Sequence, residues 1–95
     1  MFFVLHALDK AGALETRSAN YDAHKAFLAD TTAHGVSMIM SGPLAADDGK
    51  TMIGSLMILE APDLKTVEAF NRADPFYAAG IWEKVNITAF VKRQG

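Results

Sequence analysis

Read along the chain, the elements fall in the order β-α-β-β-α-β, which predicts an α+β, ferredoxin-like fold with a four-stranded antiparallel sheet and two main helices on one face. Three observations carry this reading. Four short runs rich in branched and aromatic residues lie near positions 2–8, 36–41, 52–59 and 85–91. A stretch without glycine or proline separates the first two runs, and Asp63 and the Asp74-Pro75 pair open helical segments between the last two. With 95 residues there is room for one domain only, spanning 1–95, and neither an internal repeat nor a linker interrupts it.

The first strand, residues 2–8, is dense in side chains that favour a pleated surface and stops at Asp9, Lys10 and Gly12. Residues 15–34 contain neither glycine nor proline, and Gly35 follows as a helix-ending residue, so one long helix is predicted there. Residues 36–41 make a short apolar strand that Gly42-Pro43 should stop, and Asp47-Asp48-Gly49-Lys50 supplies turn chemistry before the strand at 52–59. Asp63 can cap a helix whose Leu64, Val67 and Phe70 share one face. Asp74 followed by proline pairs an N-cap residue with the residue best suited to the first helical position, and opens a brief helix ending at Gly80. Residues 85–91 alternate as the last strand.

An antiparallel sheet with one wet face should alternate apolar and polar residues, yet these strands are apolar on both sides. Phe3, Leu5 and Ala7 oppose Phe2, Val4, His6 and Leu8, while Met52, Leu56 and Ile58 oppose Ile53, Met57 and Leu59. Helices can cover one face only. A second copy of the same sheet is the simplest cover for the other, and a homodimer through the open sheet face is predicted.

Composition narrows the chemistry. Nine Lys and Arg against eleven Asp and Glu give a net charge of −2, which offers no footprint for a phosphate backbone or an anionic membrane surface, so neither nucleic acid nor membrane is expected as a partner. The absence of cysteine removes thiolate catalysis, disulfides and Fe–S clusters, and fits the cytoplasm. The apolar opening lacks a basic region before it and is broken by His6 and Asp9, so it reads as a strand rather than an export signal.

On the first helix, taking about 100° per residue, Arg17, Tyr21, Phe27, Leu28 and Thr31 lie near His24 on the inward stripe, with Ser18, Asp22, Lys25, Ala26, Ala29 and Ala33 opposite, toward solvent. A titratable ring midway along a buried stripe points to a polar pocket under the helix, or to a core histidine satisfied by a single bond. His34 suits the helix C-terminus, and His6 either packs or lines a cavity. Asp74 explains itself as a cap and is free to do more. Gly42 lets a ligand approach the backbone closely. Three or four clustered ligands for a metal are not in view, HExxH, P-loop and GxGxxG patterns are missing, and no cofactor is expected.

Arg17 with His24 in the segment Tyr21-Asp22-Ala23-His24-Lys25-Ala26-Phe27-Leu28, then Ser41-Gly42-Pro43-Leu44, then Asp74-Pro75-Phe76-Tyr77-Ala78-Ala79-Gly80, follow one another in an order that resembles the YCII-related family. These are small proteins of the dimeric α+β barrel superfamily, and the resemblance covers nearly the whole chain. It implies a site centred on a histidine and an aspartate, which fall on His24 and Asp74. Arg17, Tyr21, Ser41, Gly42, Pro43 and Phe76 are the expected substrate-binding residues around them. The family resembles muconolactone isomerases more distantly, and some relatives are implicated in dehydrochlorination of chlorinated hydroxyquinols. Thr88-Ala89-Phe90 stands where a proline before the aromatic residue would be expected.

Two functions from different classes follow. One is an enzyme in which a His24–Asp74 pair moves a proton on a small cyclic or aromatic substrate, in isomerisation or elimination. The other is a small-molecule binding or regulatory module that uses the same pocket without turnover. A chain that serves as the oligomerisation partner of a larger enzyme is a third reading.

Overall fold

In a computed structural model describing residues 1–95, Phe3, Leu5 and Ala7 are buried while Phe2, Val4 and His6 between them are only half-buried, so alternation along the first strand sets inside from outside. This strand is β1 (Phe2–Asp9), and the order continues with α1 (Leu14–Leu28), a 3₁₀ turn (Thr32–His34), β2 (Ser37–Ala45), β3 (Met52–Glu60), α2 (Leu64–Ala73), α3 (Pro75–Ala78) and β4 (Trp82–Phe90). The four strands form one antiparallel sheet in the order β2-β3-β1-β4, with the β-α-β-β-α-β connectivity of the ferredoxin-like fold.

Cross-strand register explains the core. Phe3 lies opposite Leu59 and Ala89, Leu5 opposite Met57 and Ile87, and Ala7 opposite Ser55 and Val85, all on the helix-covered face. Val67 and Phe70 of α2, Phe76 of α3 and Val36, Ile81 and Trp82 close over that stripe. The other face carries Val4 opposite Ile58 and Thr88, and His6 opposite Leu56 and Asn86, with no element of this chain above it. β1 and β3 approach so closely at Gly54 that a Cβ there would collide with the Ala7 carbonyl oxygen, which accounts for glycine in the middle of an apolar strand.

Three expectations need correction. The long helix over 15–34 is shorter: α1 ends at Leu28, and a separate 3₁₀ turn precedes Gly35, whose φ of 75° ends that turn instead. The cause is local. Thr31 and Thr32 are β-branched, and the Asp30 carboxylate accepts the Thr32 hydroxyl at 3.1 Å, a bond that competes with helix continuation. His34 consequently closes the turn against the Phe27 ring, 4.8 Å away, rather than a helix. Gly42-Pro43 does not stop the second strand, because β2 is an edge strand and proline is tolerated where the missing N–H faces away from the ladder. The last strand starts at Trp82, three residues before its alternation becomes legible. No helix is long and apolar enough to cross a membrane.

Candidate active site

Arg17 and His24 are the two buried residues of α1, seven positions and two turns apart on one stripe. Neither is apolar, so the middle of the helix is seated on polar contacts, while Phe27 and Leu28 pack against the core at its C-terminal end. Its principal neighbour is α3, and the junction is built by Asp74. Asp74 has extended backbone (φ −66°, ψ 130°) and caps α3, with Pro75 following at the first turn, and its Oδ1 accepts the Phe76 N–H at 2.9 Å. The same oxygen lies 2.8 Å from His24 Nδ1. Asp74 is 1% exposed and His24 7%, so the bond is shielded from water.

Phe76 holds the ring. Its side chain is fully buried and stacks on the His24 imidazole with centroids 3.8 Å apart and planes within 4°. Trp82 meets Phe76 edge-on at 6.0 Å. With Nδ1 engaged and the ring plane fixed, Nε2 has no protein partner, and His24 forms part of the wall of a cavity of about 550 Å³.

The cavity lies between α1 and the β2–β3 hairpin. Tyr21 and Leu28 of α1 line it with His24 and Arg17, Ser41, Gly42 and Pro43 face them from β2, and Ser55 and Met57 from β3. Of the residues expected around a substrate, Phe76 is not on this wall; it lies behind the imidazole and orients it. Ser18, Lys25 and Ala29, expected on the outer side of the helix, also border the cavity, because α1 stands off the hairpin and leaves that flank open. His6 is on the opposite face of the sheet.

A second polar group was not legible beforehand. Arg17 Nη1 donates to both carboxylate oxygens of Asp9, at 3.0 and 3.1 Å, and Nη2 donates to Ser55 Oγ at 2.9 Å. The Arg17 guanidinium carbon sits 4.9 Å from the Phe76 centroid, so the two polar groups share one aromatic floor. Burial pushes the Asp9 carboxyl above its ordinary range, against the opposing pull of the Arg17 charge and hydrogen bond. The available signal was parity: Asp9 continues the inward sequence Phe3, Leu5, Ala7, and Ser55 precedes Met57 and Leu59 on the inward side of β3. No three His, Cys, Asp or Glu side chains converge so as to hold a metal ion.

Comparison with known proteins agrees with this architecture. The family model described as YCII-related domain matches residues 1–91. The chain is 35% identical over 97 residues to proteins named YciI from Escherichia coli O6:H1 and from Shigella flexneri, covering 97% of this chain and 98% of each relative. Among solved structures it is similar to the 5-chloro-2-hydroxyhydroquinone dehydrochlorinase TftG of Burkholderia phenoliruptrix AC1100, in complex with 2,5-dihydroxybenzoquinone. That similarity has a TM-score of 0.84 at 32% identity and covers 96% of this chain and 94% of that one.

Proposed function

The chain belongs to the YCII-related domain family, and from that premise we propose that it is a small cytoplasmic enzyme that transfers a proton on a small cyclic or aromatic substrate, with His24 as the base and Asp74 as its orienting carboxylate. The observation that carries the reading is the 2.8 Å contact between His24 Nδ1 and Asp74 Oδ1 beside a cavity of about 550 Å³. A carboxylate that accepts the Nδ1 proton leaves the lone pair on Nε2, and the Phe76 stack holds that edge in place. Nε2 takes a proton from the substrate. The electron pair left behind either shifts a ring double bond, with the protonated His24 returning the proton at the new position, or expels a leaving group such as chloride, so that H⁺ and Cl⁻ leave together. TftG, by its name a dehydrochlorinase of a hydroxylated ring, supports the second course for a chain of this fold.

The apolar outer face of the sheet supports a homodimer in which two sheets pack face to face. Val4, Leu56 and Ile58 on that face are half-buried in the single chain, and Met40 and Phe90 are exposed.

Chloride release from 5-chloro-2-hydroxyhydroquinone tests the reaction. His24→Ala and Asp74→Asn should each lose at least about 100-fold in turnover with the far-UV dichroism of the parent, since a positioned base contributes about 10²–10⁴-fold. Full activity in either variant overturns the pair. Saturable binding of 2,5-dihydroxybenzoquinone without product, unchanged in His24→Gln, would assign the pocket to a binding module instead.

A further inference from the structure

We propose that the Ser55 hydroxyl grips a substrate ring oxygen, with Arg17 and Asp9 as the residues that position it; the inference rests on the proton-transfer reading above. Ser55 is 2% exposed and sits on the inward side of β3, opposite Ala7 of β1 and Pro43 of β2. A hydroxyl buried among apolar neighbours requires a partner, and Arg17 Nη2 supplies one at 2.9 Å. The guanidinium itself is clamped, by both oxygens of Asp9 and by the Phe76 ring.

The direction of that bond decides what Ser55 can do. Arginine only donates, so it occupies a lone pair on Oγ and leaves the hydroxyl proton uncommitted. No acceptor in the chain takes that proton, and Ser55 lines the cavity that His24 also lines. A hydroxyl whose oxygen already receives a charge-assisted bond is the stronger donor for it. Asp9 meanwhile offsets the Arg17 charge, so the group presented to a ligand is a polarised neutral hydroxyl. When His24 Nε2 removes a proton, negative charge gathers on a conjugated ring oxygen, and the Ser55 O–H stabilises it there without giving up its proton. The substrate class this fits is a ring whose hydroxyl or carbonyl oxygen is conjugated to the position that loses the proton. The Asp9–Arg17 pair then acts at one remove, by setting the rotamer of Ser55.

Isothermal titration with 2,5-dihydroxybenzoquinone and turnover of 5-chloro-2-hydroxyhydroquinone, on the full chain, test the assignment. Ser55→Ala should weaken the probe about tenfold and lower kcat about 100-fold, as loss of one oxyanion donor does, with a melting temperature within a few degrees of the parent. Arg17→Lys keeps the Ser55 hydroxyl and should lose less. Asp9→Asn, which mimics the protonated carboxyl, should lose less than either, with its loss present near neutral pH and closing in acid where the parent carboxyl is protonated as well, so that the acid limb of the kcat profile changes. Parent-like binding and kcat in Ser55→Ala, equal losses in Ser55→Ala and Arg17→Lys, or no saturable binding of the probe by the parent would each overturn the role of Ser55. His24→Gln separates the two readings: a fully active His24→Gln removes the base, whereas a dead His24→Gln beside an unaffected Ser55→Ala removes only the hydroxyl.

Discussion

Asp74 Oδ1 receives two donors, the Phe76 N–H that starts α3 and the His24 ring on α1, so one carboxylate oxygen joins two helices. Arg17 works in the same way between β1 and β3. Removing one partner of such a buried pair leaves the other charge without compensation. Arg17→Met should therefore cost about 3–5 kcal/mol in urea unfolding at neutral pH, and less in acid, where Asp9 is protonated. The sign of the Asp9 effect follows from its raised pKa: the folded chain binds the proton more readily, so this contribution to stability is fully present below the ordinary carboxylate value and is lost as pH rises through the raised one. Over the same interval the proton loosens the hold on Arg17. Stability of the parent relative to Asp9→Asn, followed by urea midpoints from pH 7 down to pH 4, should rise as pH falls; a flat difference would mean that Asp9 is not the group responsible. His24 was readable as an inward residue because helical spacing fixes its direction. Its partner came only from the family resemblance, since fifty positions separate Asp74 from it and periodicity carries no information across a connection.

At the level of elements, α1 departs from the usual apolar stripe only in part, since Phe27 and Leu28 pack against the core at its C-terminal end while the middle of the helix rests on polar groups. Its buried residues are Arg17 and His24, whereas α2 buries Val67 and Phe70 on a spacing of three. The hairpin between β2 and β3 forms the opposite wall of the cavity, and its turn is held by Asp48. One carboxylate oxygen accepts the N–H groups of Lys50 and Thr51, at 2.8 and 2.9 Å, and the other accepts the Thr51 hydroxyl at 2.6 Å. These bonds bring the Asp48 pKa down from 3.8 to about 2. The folded value lies below the unfolded one, so its contribution is present above the ordinary value and is lost as pH falls through about 2. Asp48→Ala should lower the melting temperature by a few degrees at neutral pH, and scanning calorimetry should find that the deficit closes as pH approaches 2. A deficit independent of pH would assign the effect to the backbone of the turn. The sequence indicated this turn through Asp-Gly but placed the end of β2 too early, because the tolerance of an edge strand for proline depends on which strand pairs with it.

For the molecule as a whole, the helices cover one face of the sheet and leave Val4, His6, Leu56 and Ile58 on the other. If two such faces pack together, a charge at the centre must disrupt the pairing while sparing the monomer fold, whose core is on the far side. Ile58→Glu should convert a dimer to a monomer in sedimentation velocity at micromolar concentration, with the far-UV spectrum kept. A parent that sediments as a monomer removes the face-to-face arrangement.

Local rules settled what depends on near neighbours. Strand alternation put Phe3, Leu5 and Ala7 on one face and Phe2, Val4, His6 and Leu8 on the other, capping chemistry located the starts of α2 and α3, and helical spacing put Arg17 beside His24; which face of β1 is inward came from the packing. Beyond the His24–Asp74 pairing that the family resemblance implied, tertiary structure decided which polar residues meet. The antiparallel register of β1 with β3 brings Ser55 opposite Ala7, and the seating of α1 on α3 brings His24 to Asp74. Those encounters are fixed by how whole elements pack, which is a property of the assembled layers and leaves no periodic trace along the chain. The same applies to Asp9, which reads as a turn residue at the end of a strand and becomes the anchor of Arg17 only once α1 lies above it.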